Sequence, residues 1–354
     1  MSLLAKTKYD SVTAEALLGI PETRPEALFS AASAAQVKSE YRELAKLWHT
    51  DHNTHPLAKE AFQRLQSLYT AAKAKLAANK WELPNLLQFT DQSGKKYQMK
   101  YRVRHAFELG EMYVGDKTLI YTVNKTERQL FDNAKDIITK LSYPTDDMKK
   151  RMSPYMPRLR GTYETDDSLV MALDKDPDAI LLSDLLKHKG GKVEPEHAAW
   201  MMSRMHNIAC YLSWAGLTHN AITTENCFIF PKDHAIGLYG GWWYAAREGQ
   251  KLKALPPKSA DIAPPSLFDN PVATKRLDQS MIRATAREIL GDATGMSFIK
   301  NKDIPQPITQ WVNGASSGDP NDDYRIWSKT ILTKAFGARR FVEMKLTPND
   351  IYQP

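Results

Sequence analysis

The sequence predicts an α+β fold: an all-helical N-terminal segment, then a strand-rich stretch, then a longer and mainly helical one. Three observations carry this. Before residue 80 apolar residues recur every three or four positions in two blocks, the pattern of amphipathic helices. From Tyr97 to Asn124 the texture shifts to Tyr, Val, Phe and Thr with turn signals at Leu109-Gly110 and Gly115-Asp116, the pattern of antiparallel strands. Beyond Asp174 long helical periodicities return.

In order, the first helix reads VKSEYRELAKLW, with Val37, Tyr41, Leu44, Ala45 and Trp48 on one face. The second runs from about residue 56 to 77, with Ala61, Phe62, Leu65, Leu68, Tyr69 and Ala72 on one face. The loop HTDHNTH between them is too polar to continue either, so the pair forms an αα-hairpin. Residues 83–96 read as a connector, interrupted by Pro84 and ending in the turn Asp91-Gln92-Ser93-Gly94. Two or three strands follow between 97 and 124. A helix is expected over 130–141 and an apolar strand over 168–173. The longest helix spans about 195–215 and is stopped by Gly216. Short strands at 227–230 and 235–238 and helices over 277–290 and 324–335 complete the reading. The expected division is 1–82, 83–96, 97–173 and 174–354.

With 42% hydrophobic and 25% charged residues the chain belongs with globular rather than disordered proteins. No apolar run is long enough for a bilayer, and MSLLAKTKYDS lacks the apolar core of a secretory signal. Cys210 and Cys227 make neither a metal-ligand spacing nor a disulfide framework. A cytoplasmic location is the expectation. There is no GxxxxGK[ST] loop and no HExxH. The triplet His49, His52 and His55 matches no standard metal spacing. The methionines beside His206 read as core, and no Ser or Cys nucleophile has an identifiable base. No metal or cofactor is expected. A net charge of +7 allows an acidic partner. The densest basic patch, Lys149, Lys150, Arg151, Arg158 and Arg160, is expected to be a solvated loop face, so nucleic-acid binding stays open without being favoured.

Lys38, Arg42 and Lys46 stand four apart on one helix face, followed by His49 and Asp51. With YRELAKLWHTDHN and AFQRLQSLYTAA, this segment resembles a J domain, the co-chaperone module that stimulates the ATPase of Hsp70 proteins. The resemblance implies that Lys38, Arg42, Lys46, His49 and Asp51 face a protein partner, with the cations steering toward an acidic surface. Thr50 replaces the proline of the family's His-Pro-Asp loop, and Glu43 stands where these domains are often basic.

Residues 217–230, LTHNAITTENCFIF, place His219 and Asn226 six residues apart before an apolar strand. Together with the order of elements from Tyr97 onward, this loop resembles that of a protein kinase. The resemblance implies that His219 is the structural histidine, that Ala221 replaces the catalytic aspartate, and that Asn226 matches the metal-binding asparagine. An alanine methyl can neither orient nor deprotonate a hydroxyl. In AIGLYGGWW, Leu238 or Tyr239 occupies the place of the magnesium-binding aspartate. ELGEMYVGD has only Gly110 and Gly115 where a glycine-rich loop should cover phosphates. Lys125 is the implied match to the phosphate-binding lysine, and LFDNAKDIITKL offers Asp132 and Asp136 but no glutamate. IAPPSLFD resembles the segment closing an activation region, with Pro265 where a glutamate is usual. Asp278 in RLDQSM is implied to tie a helix to the loop backbone. The pattern is that of a pseudokinase. Trp242, Trp243 and Tyr244 then read as filling an empty nucleotide site or as a docking surface.

The expected fold is a J-like helical hairpin followed by a two-lobed kinase-like domain. The expected function is a non-enzymatic adaptor acting through protein binding. A working Hsp70 co-chaperone that delivers a client, an atypical phosphoryl or nucleotidyl transferase, and a nucleic-acid-binding protein remain as alternatives.

Overall fold

The computed structural model describes residues 2–30, 33–78, 81–82, 85–338 and 342–352, with Lys6 and Ile299 described by backbone alone. It is an α+β structure whose chain divides into two compact units, residues 1–101 and 102–354. Each has its own buried core. Among the described residues no helix is long and apolar enough to cross a membrane.

The first unit holds α1 (Leu3–Lys6), α2 (Ala14–Leu18), α3 (Ala34–Trp48) and α4 (Ala58–Ala77). Ser33 caps α3 by accepting the Gln36 amide on its hydroxyl. Val37, Leu44 and Trp48 of α3 and Ala61, Leu65, Leu68 and Ala72 of α4 are buried in one core. Tyr41 stacks on Tyr69 and His49 meets Phe62 edge-on. The two pairs run in opposite sequence directions, so the helices are antiparallel. The expected helix interruption at Pro84 lies outside the described residues. The expected connector, however, carries a strand, β1 (Leu86–Thr90), paired antiparallel with β2 (Lys96–Lys100). Gly94, at φ +83°, closes the turn between them in a backbone region that favours glycine.

The second unit opens with β3 (Val103–Phe107), β4 (Gly110–Val114) and β5 (Thr118–Asn124), then α5 (Arg128–Thr139), α6 (Asp146–Met152), β6 (Arg158–Glu164) and β7 (Ser168–Asp174). The five strands form one antiparallel sheet in the order β3-β4-β5-β7-β6. Thus four strands, β2 to β5, occupy the stretch where two or three were expected. The basic patch is not a loop: Lys149, Lys150 and Arg151 lie exposed on α6, while Arg158 and Arg160 lie on edge strand β6, where both donate to Asp174.

The rest runs through β8 (Ile180–Leu181), α7 (Leu182–His188), α8 (Pro195–Trp214), β9 (Leu217–Thr218), β10 (Cys227–Phe230), β11 (Ala235–Leu238), β12 (Ala246–Arg247), α9 (Pro257–Ala260), α10 (Ser266–Asp269), α11 (Lys275–Ile289), α12 (Gln306–Asn313), α13 (Pro320–Ile326), α14 (Leu332–Phe336) and α15 (Pro348–Ile351). A π-helical turn, Trp327–Ile331, joins α13 to α14, so the expected single helix over 324–335 is broken by one looser turn. Helix α8 is buried along most of its length, with Met201, Met202, Met205 and His206 in the core. Arg283 and Asp323 form a buried ion pair at 2.7 Å, and the guanidinium also lies over Trp311.

Two devices hold the segment between β7 and β8. Lys175 is buried, and its ammonium donates to the carbonyls of Asp116, Asp176 and Ala179. Burial lowers it to about 8, so it stays charged at neutral pH. The Leu181 amide donates to the Tyr352 hydroxyl at 2.9 Å, bringing the C-terminal segment to the same place.

Candidate functional site

In the first unit the polar loop after α3 is the candidate. Lys38, Arg42 and Lys46 are all on the solvent side of α3, as the four-residue spacing requires. Lys46 is spent partly on Glu43 at 2.8 Å. The His49 Nδ1 accepts the Asp51 amide at 3.3 Å. The Asp51 carboxylate lies 3.5 Å from the same Nδ1. Phe62 of α4 fixes the His49 ring from the side, while Asp51 is exposed.

In the second unit the candidate is a cleft between the five-stranded sheet and the loop joining β9 to β10. The loop is held from below by α11. The Asp278 carboxylate accepts the His219 amide at 2.8 Å and the Asn220 amide at 2.7 Å. Burial raises Asp278 to about 6, and the two amides pull the other way. Asn220 sits at φ +62°, a conformation asparagine tolerates better than most residues. Its amide nitrogen donates to the Thr218 hydroxyl and the Tyr244 carbonyl. His219 Nε2 lies 3.0 Å from the Gly240 carbonyl, which assigns the proton to Nε2. Burial holds this imidazole down to about 3, so it is neutral.

Ala221 is fully buried and offers only its methyl. The Asn226 amide nitrogen donates to the Ala221 carbonyl and the Thr223 hydroxyl, stapling the loop. Hairpin β10–β11 delivers Leu238 and Tyr239 into the core, where the Tyr239 hydroxyl donates to the Pro154 carbonyl. Neither faces the cleft with a carboxylate. Gly241 then turns at φ +77°; a Cβ there would stand 2.7 Å from the His219 ring and 2.8 Å from Asn226 Nδ2.

Trp242, Trp243 and Tyr244 form a single 3-10 turn and are all buried. Trp242 donates to the Leu238 carbonyl. Trp243 packs against Phe107, Tyr121 and Phe131 with ring centroids 5.3–6.1 Å apart. This aromatic plug leaves a cavity of about 250 Å³, lined also by Glu108, Asn226 and Lys258. Lys258 is shared between Glu225 at 2.6 Å and Glu288 at 3.0 Å. His105 of β3 meets Asp184 of α7 at 3.1 Å on the cavity wall.

Lys125 stands outside this assembly. It leaves the end of β5 and pairs at 3.3 Å with Glu164, which also binds Arg128. Asp132 and Asp136 are exposed on α5. Two residues that sequence reasoning passed over do the cleft's work. Tyr121, on the inward face of β5, fills the place beneath the sheet. Asn133, on the inner flank of α5, donates to the carbonyls of Trp243 and Ala245 and ties that helix to the aromatic turn. Among the described residues no three His, Cys, Asp or Glu side chains converge as metal ligands.

No model of a known protein family matches the chain, and no curated protein matches it significantly.

Proposed function

We propose that this protein is a non-catalytic adaptor, in which a degenerate J-like hairpin is joined to a kinase-like body that binds proteins rather than transferring phosphate. One observation carries the reading: the loop is anchored by Asp278 through two backbone amides, while the reactive positions around it hold Ala221 and Tyr121. In phosphoryl transfer of the kinase type a lysine on the third strand of the small lobe reaches the phosphates and a loop aspartate accepts the hydroxyl proton. Here the third strand of the sheet presents the Tyr121 phenol, and the loop presents a buried methyl. The sheet order, with α5 and α6 between its third and fourth strands in sequence, supports the kinase-like reading. The test is incubation with ATP and magnesium or manganese, with protein and peptide acceptors. No phosphate incorporation above that of a heat-denatured control is expected, and stoichiometric incorporation sinks the reading.

A second reading, an Hsp70-coupled co-chaperone, is favoured by the exposed Lys38 and Arg42 beside His49 and Asp51. It predicts stimulation of an Hsp70 ATPase that is lost in Asp51→Asn. Without stimulation, the adaptor reading alone remains.

A further inference from the structure

Helix α6 buries none of its residues. It is helical on local grounds: Thr145 caps it by accepting the Met148 amide, Asp146 and Asp147 stand in its first turn, and Lys149, Lys150 and Arg151 in its last. Between α6 and α8 runs a groove of about 690 Å³. Met148 and Met152, four residues apart, form one wall. Arg204, Asn207, Ile208, Tyr211 and Trp214 of α8 form the other, at the spacing of a single helix face. From Arg204 to Trp214 that wall is about 15 Å long. Ala235 and Ile236 of β11 lie at the floor.

The groove is open to water. Trp214, at one end of the α8 wall, is 51% exposed. Its ring and those of Tyr211 and Tyr143 stack in a row, and the Tyr211 hydroxyl donates to the Ser142 carbonyl. Arg204, at the other end, is exposed, with its Nε donating to the His234 carbonyl at 2.6 Å. Trp, Tyr and Arg are the residues that carry most binding energy at protein interfaces, and methionines adapt to varied apolar surfaces.

The rim selects the sign of the occupant. Asp147 and Arg151 pair with each other at 3.0 Å. Asp146 is held by the dipole of its own helix. Lys149, Lys150 and Arg204 are exposed and form no ion pair among the described residues, against the single carboxylate of Asp233. The surplus is cationic.

We propose that this groove docks an amphipathic helix of a partner protein, about three turns long, with an acidic polar face. Its apolar side chains at i, i+3, i+4 and i+7 lie between the α6 methionines and Trp214, and its carboxylates meet Lys149, Lys150 and Arg204. The inference rests on the adaptor reading and gives it a contact surface.

Phage-displayed random peptides of about 16 residues, long enough for the groove, are selected on the full chain. The recovered peptides are expected to share that apolar spacing, to be net acidic and to gain helical circular dichroism on binding. Neither Met148 nor Trp214 is buried, so Met148→Glu and Trp214→Ala should fold normally, yet bind the best synthetic peptide at least tenfold more weakly by titration calorimetry. That peptide should also protect Cys210, which lines the groove, from iodoacetamide, while Cys227 is fully buried and silent. The proposal falls if no peptide binds more tightly than about 100 µM, if the recovered peptides are basic or lack the helical spacing, or if both variants bind undiminished. Competition by single-stranded polyuridylate, or a dimer that Trp214→Ala dissociates in sedimentation, would assign the groove to nucleic acid or to a second copy and overturn it. Phosphate incorporation from ATP would remove the adaptor reading and leave helix binding in place, whereas a failed selection would remove the helix and leave the non-catalytic reading standing.

Discussion

Two backbone amides, those of His219 and Asn220, end on one carboxylate. Replacing Asp278 by Asn turns one acceptor into a donor facing an N–H, leaving a buried amide unsatisfied. About 1–3 kcal/mol should be lost at pH 7, measured by urea unfolding. Asp278 also titrates in an unusual sense. Its folded value, about 6, lies above its ordinary 3.8, so its contribution is full below the unfolded value and is lost as pH rises through 6. The buried histidines oppose it. His206 and His219 are held down to about 3 by burial. Their contributions are present above pH 6.5 and disappear as pH falls toward 3. Two gaps of more than three units outweigh one of about two, so acid should destabilise the protein below pH 6.5. His206 allows a clean check. Neither of its ring nitrogens has a partner among the described residues, and Trp311, Tyr324 and Trp327 surround it. His206→Phe should keep its stability at pH 7 and move the acid-unfolding midpoint, followed by tryptophan fluorescence, to lower pH. An unchanged midpoint would show that the acid lability lies elsewhere.

The backbone of the α3–α4 loop already suits a proline at position 50. His49 sits at φ −64°, ψ 131°, the extended conformation demanded of a residue before proline. The Thr50 amide makes no hydrogen bond among the described residues. Thr50→Pro should therefore fold and gain ~0.4–1 kcal/mol by stiffening the unfolded chain; a loss of stability in thermal or urea unfolding would refute this. Helices α3, α4, α8 and α11 were legible because each repeats a wide apolar face. Strand β1 was not: the turn after it was visible, but LLQFT, half-exposed along its length, looks like connector without its pairing. Edge strand β6 was hidden similarly, since Arg158 and Arg160 point outward and no apolar alternation marks them. Tyr121 escaped notice for the opposite reason. Its strand, TLIYTVN, is apolar on both faces, and periodicity cannot tell which face meets a cleft. Asn133 lies at the flank of an amphipathic helix, where a polar residue ordinarily means solvent.

The whole chain holds two cores that share no buried residue. A fragment of residues 1–101 should fold alone, with a cooperative urea transition and the helical circular dichroism of α3 and α4. A fragment without a cooperative transition would make the first unit dependent on the second. The two units also differ in when they can be finished. The first is complete once Tyr101 has been made. The second is not, because the Leu181 amide waits for a hydroxyl 171 residues downstream. At translation speeds of 5–20 residues per second that interval lasts roughly 9–34 s. For that time the amide of β8 lacks the hydroxyl that it meets in the finished fold. The α3–α4 pair, made first, belongs to a unit whose every residue is by then already in place.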